Sequence, residues 1–163
     1  MENIVIRHAN EGDIERIVEI AASQWSKIYE GYRELLGEDI YPLWFLSQLE
    51  RKREVIREVA RDGAHCLVAE IEGIAVGFAS FKIETVDGNT LGILGNNAVD
   101  GDYRGRGIGG MLYKRIFAIM KEMGCVGVKV TTGLDDKHAP ARRAYEKMGF
   151  EKNLPSVTYY KKL

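Results

Sequence analysis

Residues 99–110 read Val99-Asp100-Gly101-Asp102-Tyr103-Arg104-Gly105-Arg106-Gly107-Ile108-Gly109-Gly110. Four glycines fall within the six positions 105–110, arginines are interleaved, and an apolar helical pattern begins at once. Backbone free of side chains can approach a ligand closely. A helix N-terminus presents unpaired N–H groups and a partial positive charge. Together these suit a phosphate or pyrophosphate, with Arg104 and Arg106 able to add charge-assisted bonds. Two other glycine loops fit poorly. Gly105-x-Gly107-x-x-Gly110 has the form of the dinucleotide fingerprint. However, residues 100–104 stand between it and the preceding strand, and Lys129, Val130 and Thr131 occupy the region where an acidic residue is expected about 20 positions on. The Walker pattern fails because no Gly-Lys-Ser/Thr follows.

The elements that must position this turn are legible from periodicity. Ile4-Val5-Ile6 predicts a first strand. Asn10 can cap a helix carrying Ile14, Ile17, Val18, Ala21, Trp25 and Ile28 at helical spacing. Gly31 and Gly37 interrupt it, and Asp39 can cap a second long helix that ends at Gly63, with Pro42 tolerated in its first turn. Glu50–Arg53, Glu54–Arg57 and Glu58–Arg61 read as its solvated face. Residues 66–71 and 74–83 predict a hairpin around Glu72-Gly73, and Asp87-Gly88-Asn89 marks a second turn before a strand over 91–99. A helix from Ile108 to Met123, a strand over 126–131, a helix around Ala141–Met148 and a last strand at Val157–Tyr160 complete the pattern. Strand, helix, strand over 91–132 implies a parallel pair with a crossover. The fold class is therefore α/β (α+β): a mixed, mostly antiparallel sheet with a central parallel pair, flanked by helices. Residues 1–163 form a single domain.

Composition narrows the partners. Lys plus Arg number 23 against 24 Asp plus Glu, so no charge excess advertises nucleic acid or an anionic membrane. No apolar run reaches the roughly 18 residues of a membrane span, and the start lacks a signal-peptide pattern. Cys66 and Cys125 lie far apart, outside any CxxC spacing, and read as reduced thiols in a cytoplasmic protein. No metal-ligand spacing occurs, and no metal is expected.

Arg104-Gly105-Arg106-Gly107-Ile108-Gly109 resembles the Arg/Gln-x-x-Gly-x-Gly/Ala motif of the GCN5-related N-acetyltransferase (GNAT) superfamily. Ala141-x-x-x-Tyr145-Glu146-Lys147-Met148-Gly149-Phe150 resembles the late helix of that family, and Ile6-Arg7-His8-Ala9 its opening strand. The resemblance implies an N-acetyltransferase that moves the acetyl group of acetyl-CoA to a primary amine by direct attack through a tetrahedral intermediate. It implies a GNAT-like fold whose two parallel strands splay apart around the pantetheine arm. It places Ala98, Val99 and the turn Arg104, Gly105, Arg106, Gly107, Ile108, Gly109 and Gly110 on the cofactor. The Val99 N–H would bind the thioester carbonyl, a donor that stabilises the oxyanion. Relatives are often dimers, so a homodimer is an added expectation without an interface signal of its own.

Tyr145 is the candidate general acid for the departing thiolate. Its alternative is a core tyrosine, since it shares a helical face with Ala141 and Met148. Family members often carry Asn where this chain has His138, which can replace it as a cofactor donor or stand as a surface residue at a helix start. Many relatives place a Glu near the end of the acetyl-binding strand as base. Here that stretch is Gly95-Asn96-Asn97-Ala98-Val99, with no carboxylate. Glu84 on the neighbouring strand is the candidate base; a water relay or an amine already neutral are the other routes. Trp25, Tyr29, Tyr32, Tyr41 and Trp44 cluster with Glu30, Glu34, Glu38 and Asp39 where the acceptor should bind. Such a set suits a cationic amine and equally an ordinary half-buried helix pair. A non-catalytic acyl-CoA sensor on the same fold and a dinucleotide-binding module are the competing functional readings.

Overall fold

The computed structural model describes residues 3–163. Strand β1 (Ile4–His8) leads into a reciprocal cap. The Asn10 side chain accepts from the Gly12 N–H at 2.9 Å, and Asp13 accepts from the Asn10 N–H at 2.8 Å. Asp13 is buried and takes two further bonds from Arg7, at 2.6 and 2.9 Å. Those bonds hold its carboxyl below the usual carboxylate range.

Helix α1 (Ile14–Phe45) buries Ile17, Val18, Ile20 and Ala21 against the sheet. It bends at Gly37, whose φ of 72° and ψ of 172° are accessible essentially to glycine alone. Gly31 does not interrupt it. That residue is buried within the helix, and a Cβ there would sit 2.8 Å from Lys137 Cγ, so its smallness admits a later loop. The expected second long helix is divided. Its first part, with Pro42, continues α1 to Phe45, and α2 (Gln48–Arg61) starts after a break at residues 46–47. The outer face of α2 carries the foreseen ion pairs Glu50–Arg53, Glu54–Arg57 and Glu58–Arg61, while Arg57 also reaches Glu15 of α1 at 2.8 Å.

Strands β2 (Cys66–Ile71), β3 (Ile74–Val86) and β4 (Asn89–Val99) form an antiparallel meander on β1. The two hairpin turns put consecutive residues in the left-handed region: Glu72 and Gly73 at φ 51° and 82°, Asp87 and Gly88 at 49° and 79°. That primed geometry matches the twist of the flanking strands. Helix α3 (Ile108–Glu122) then crosses to β5 (Gly127–Val130), which lies parallel to β4. The sheet order is β1-β2-β3-β4-β5, and α4 (Ala139–Lys147) follows.

Apolar side chains on the two faces of the sheet make separate cores. Leu67, Ala69, Val76 and Phe81 meet Ile108, Leu112, Ile116 and Met120 of α3. Val68, Ala75 and Phe78 meet α1 and Ile56 of α2. Truncating the fully buried Phe78 to alanine should cost roughly 3–5 kcal/mol. The predicted strand at Val157–Tyr160 does not form. Val157 and Tyr159 are 71% and 90% exposed, so no face of that stretch is buried. Only the Tyr160 ring finds partners, packing on Trp44 and Phe45 of α1 at 5.7 and 5.9 Å between centroids.

Candidate functional site

Register defines the cleft. β4 pairs with β5 only from Leu91↔Gly127 to Leu94↔Val130. Beyond Leu94 the β5 chain leaves the sheet, and Asn97, Ala98 and Val99 keep register partners only in β3. A one-residue bulge marks the departure: Ala79 pairs with Asn97 but Phe81 with Leu94. Ser80 sits opposite the bulge and donates to the Asn96 carbonyl at 3.1 Å. A Cβ on Gly95 would lie 2.6 Å from Ser80 Oγ and 3.2 Å from the Ser80 carbonyl oxygen, so glycine leaves the Ser80 side chain room to reach across the bulge.

The Asp100 N–H bonds the Val76 carbonyl at 2.9 Å, toward β3. Main-chain groups alternate along an extended strand, so those of Asn97 and Val99 face the opened edge. The Val99 carbonyl accepts from Arg104 Nε at 3.4 Å.

The turn after β4 is braced from α1: Arg16 bonds the Ala75 carbonyl at 3.2 Å and pairs with the Asp100 carboxylate. Asp100 in turn accepts from the Asp102 N–H at 3.1 Å. Gly105 and Gly107 adopt φ of 76° and 79°, and Gly107 is the N-cap of α3. The first helical main-chain bond is Met111 N–H to the Gly107 carbonyl, at 3.1 Å. Among the described residues, the amides of Gly105, Gly107, Ile108, Gly109 and Gly110 donate to no main-chain carbonyl. Space above Gly105, Gly107, Gly109 and Gly110 is open. A helix N-terminus with a row of available amides fits a diphosphate. Arg106 lies over the Tyr103 ring at 4.9 Å and donates to the Asp102 carbonyl at 3.2 Å.

Tyr145 of α4 is 7% exposed and reaches the same strand. Its hydroxyl oxygen accepts from Asn97 Nδ2 at 3.2 Å, and Asn97 Oδ1 accepts from Tyr113 of α3 at 2.7 Å. Because the amide donates to the Tyr145 oxygen, the Tyr145 hydrogen stays available to a ligand in the cleft. Burial, reinforced by Tyr145, pushes the Tyr113 hydroxyl above its ordinary pKa, which suits it to hold Asn97 and not to shed a proton. Sequence reasoning missed Tyr113 entirely. The only available signal was its place on the apolar face of α3.

Opposite Asn97, the bulge turns Asn96 toward the α1 and α2 side. Asn96 Oδ1 accepts from Lys52 Nζ at 2.5 Å, and that nitrogen sits 4.2 Å from the Trp25 ring centroid. Lys52 was also missed, since it is embedded in the charged run of α2. His138 lies at the start of α4. Its Nδ1 bonds the Asp135 carboxylate at 2.6 Å, and its ring stacks on Tyr32 of α1 at 6.2 Å. Arg142 fixes that loop through the Gly133 and Asp135 carbonyls, at 2.7 and 2.8 Å. The aromatic group of α1 packs on itself: Tyr29, Tyr32 and Tyr41 surround Phe45 at 5.3–6.4 Å. Burial raises the Tyr29 and Tyr32 hydroxyl pKa values.

Glu84 is not brought to this cleft. It pairs with Leu91, eight residues upstream of Val99 and about 26 Å away along the strand. There it borders a cavity of about 240 Å³ with Gly92, Ile93, Gly127 and Lys129. Among the described residues no group of three or more His, Cys, Asp or Glu could hold a metal ion, and no helix is long and apolar enough to cross a membrane.

A splayed parallel pair beside an amide-rich helix start has the shape to hold an extended, phosphorylated ligand along a strand edge. Residues 14–150 match the acetyltransferase (GNAT) family, and the chain belongs to that family. It is 25% identical over 155 residues to an uncharacterized N-acetyltransferase of Methanocaldococcus jannaschii; the match covers 93% of this chain but only 62% of the relative. Among solved structures, a transcriptional regulator from Bacillus halodurans is 22% identical with a TM-score of 0.70, covering 98% of this chain and 100% of that one. The acetyltransferase AAC(6')-Iy, solved with a CoA bisubstrate analogue, is 19% identical with a TM-score of 0.65, and 99% of each chain is covered. Both similarities establish the shared α/β fold.

Proposed function

We propose that the chain is an acetyl-CoA-dependent N-acetyltransferase acting on a primary amine. The observation that carries this reading is the opened edge of β4 beyond Leu94, followed by the available amides of Gly105, Gly107, Ile108, Gly109 and Gly110. The CoA complex of AAC(6')-Iy supports it, as a ligand found on this fold. In this reading the amides and Arg104 hold the diphosphate. Pantetheine runs along the edge left by β5, and the outward Val99 N–H meets the thioester carbonyl. Fixed donors of this kind stabilise the developing oxyanion without reorganising.

A neutral amine entering from the α1 and α2 side attacks the carbonyl carbon, and the C–S bond then breaks. Tyr145 gives its proton to the departing thiolate as the bond opens, and the nitrogen releases its surplus proton to water, from which Tyr145 is reprotonated. The free hydroxyl titrates near 10 and the thiol near 8.5, so transfer is concerted with departure. Asn97 and Tyr113 hold the phenol in place. With Glu84 at the far end of the strand, water on Asn96 or the acceptor's own neutral fraction replaces a carboxylate base. His138 closes the cleft between α4 and α1 and offers Nε2 to the pantetheine arm.

Thermal unfolding with ligands and thiol release test this. Acetyl-CoA at 100 times its dissociation constant should add about 2.7 kcal/mol, NAD should add nothing, and a panel of amines and peptides should release free CoA. Stabilisation by NAD alone would favour a dinucleotide module. Stabilisation by acetyl-CoA with no thiol released by any amine would favour a sensor.

A further inference from the structure

Lys52 is set apart from the other cations of α2. Arg53, Arg57 and Arg61 pair with glutamates on the wet face. Lys52 instead turns inward, donates to Asn96 Oδ1 at 2.5 Å and rests 4.2 Å over Trp25. Among the described residues no carboxylate stands within ion-pair distance of it. Burial, with no opposing charge, lowers its pKa and enlarges its neutral fraction. Its acceptor is held firmly, because Ser80 fixes the Asn96 carbonyl at 3.1 Å across the bulge.

Position gives this amine its meaning. Asn96 and Asn97 are consecutive on the opened strand. The Asn97 side chain meets Tyr145 and Tyr113 on one face, and the Asn96 side chain meets Lys52 on the other. A thioester on this edge, its carbonyl on the Val99 N–H, has the Tyr145 phenol on one face of the strand and the Lys52 amine on the other. That is the arrangement acyl transfer needs, with the nucleophile supplied by the chain.

We infer that Lys52 is an internal acceptor, whose Nζ takes the acetyl group of bound acetyl-CoA. This rests on the acetyl-transfer reading above. The neutral Nζ attacks the carbonyl carbon and a C–N bond forms. The C–S bond breaks, the Tyr145 proton passes to the thiolate, and the nitrogen gives one proton to water, from which Tyr145 is reprotonated. The products are Nε-acetyl-lysine at position 52 and free CoA. Acetylation removes the charge over Trp25 and fills the acceptor side of the cleft, so the modified chain turns over external amines more slowly.

The test incubates the full chain with acetyl-CoA and no added amine, then maps acetyl-lysine by peptide mass spectrometry over time. Lys52 should be modified at least about tenfold faster than the exposed Lys161 and Lys162, because the amine is held beside the reacting carbon. The rate constant should not change with protein concentration, and Tyr145→Phe should slow it. Lys52→Arg should abolish modification at 52 while acetyl-CoA still raises its melting temperature. Lys52 unmodified, or modified no faster than Lys161 and Lys162, in a protein that acetyl-CoA stabilises would overturn this inference alone. No stabilisation by acetyl-CoA would overturn the acetyl-transfer reading and this inference with it.

Discussion

Replacing Tyr145 by phenylalanine separates a catalytic hydroxyl from a structural one. The ring is buried against Tyr113 and Phe150, at 5.8 and 5.9 Å, and phenylalanine keeps those contacts. What is lost is one long hydrogen bond, from Asn97 Nδ2 at 3.2 Å, worth about 1 kcal/mol of stability. For a chain of this size that lowers the melting temperature by roughly 2–4 °C and leaves nearly every molecule folded. A proton donor in the transition state contributes about 100-fold or more, which is about 2.7 kcal/mol on the barrier. A fall of that size in kcat cannot come from unfolding. The assay is steady-state CoA release with the best amine of the screen, alongside acetyl-CoA affinity by calorimetry. The expected result is kcat down about 100-fold with affinity little changed. Tyr113→Phe is the control. It removes the donor to Asn97 Oδ1 but leaves the proposed acid, so its kcat should fall by about tenfold at most. Unchanged kcat in Tyr145→Phe, or an equal loss in both variants, would refute the assignment.

Other consequences can be checked separately. Gly107→Ala meets no neighbour within 4 Å, so its folding cost is the left-handed backbone alone, about 1–2 kcal/mol. Its added methyl stands where the ligand approaches, and acetyl-CoA affinity by calorimetry should fall by at least about tenfold. Asp13 has its pKa lowered in the folded chain, so its contribution is present above the unfolded value near 3.9 and is lost as pH falls through the folded value. Asp13→Asn should therefore cost about 1–3 kcal/mol at neutral pH and flatten the acid limb of a denaturation series. Burial pushes the Cys66 thiol up to about 12, so iodoacetamide at pH 8 should label Cys125 in the native protein and reach Cys66 only on unfolding.

How far the sequence carried depends on which forces were local. The hairpins at Glu72-Gly73 and Asp87-Gly88 and the stop of α3 at Gly124 are set by a few residues each and appear where periodicity and turn chemistry put them, while Asn10 caps the short 3-10 turn Glu11–Asp13 that leads into α1 and not α1 itself. The parallel β4–β5 pair followed from strand, helix, strand. The misses are tertiary. Gly31 reads as a breaker, yet it is kept small by Lys137, more than a hundred residues away. The stretch at 157–160 has strand-forming residues but no sheet edge that buries a face, and the Tyr160 ring docks on α1 instead.

Within the candidate site, the glycine turn, Val99 and Tyr145 were legible because their motif fixes their spacing. Asn97, Tyr113 and Lys52 were not, because the bulge at Ser80 decides which asparagine faces which helix. Glu84 looked close in the chain's strand order. Register puts it at the opposite end of β4.

The central claim is that main-chain amides at the start of α3 hold a diphosphate. Backbone amide NMR, comparing CoA with pantetheine, which lacks the diphosphate, tests it most directly. The account predicts that the Gly105, Gly107, Ile108, Gly109 and Gly110 resonances move with CoA and stay in place with pantetheine, while those of Asn97 and Val99 respond to both. Equal shifts at the turn with the two ligands, or CoA shifts confined to other segments, would contradict it.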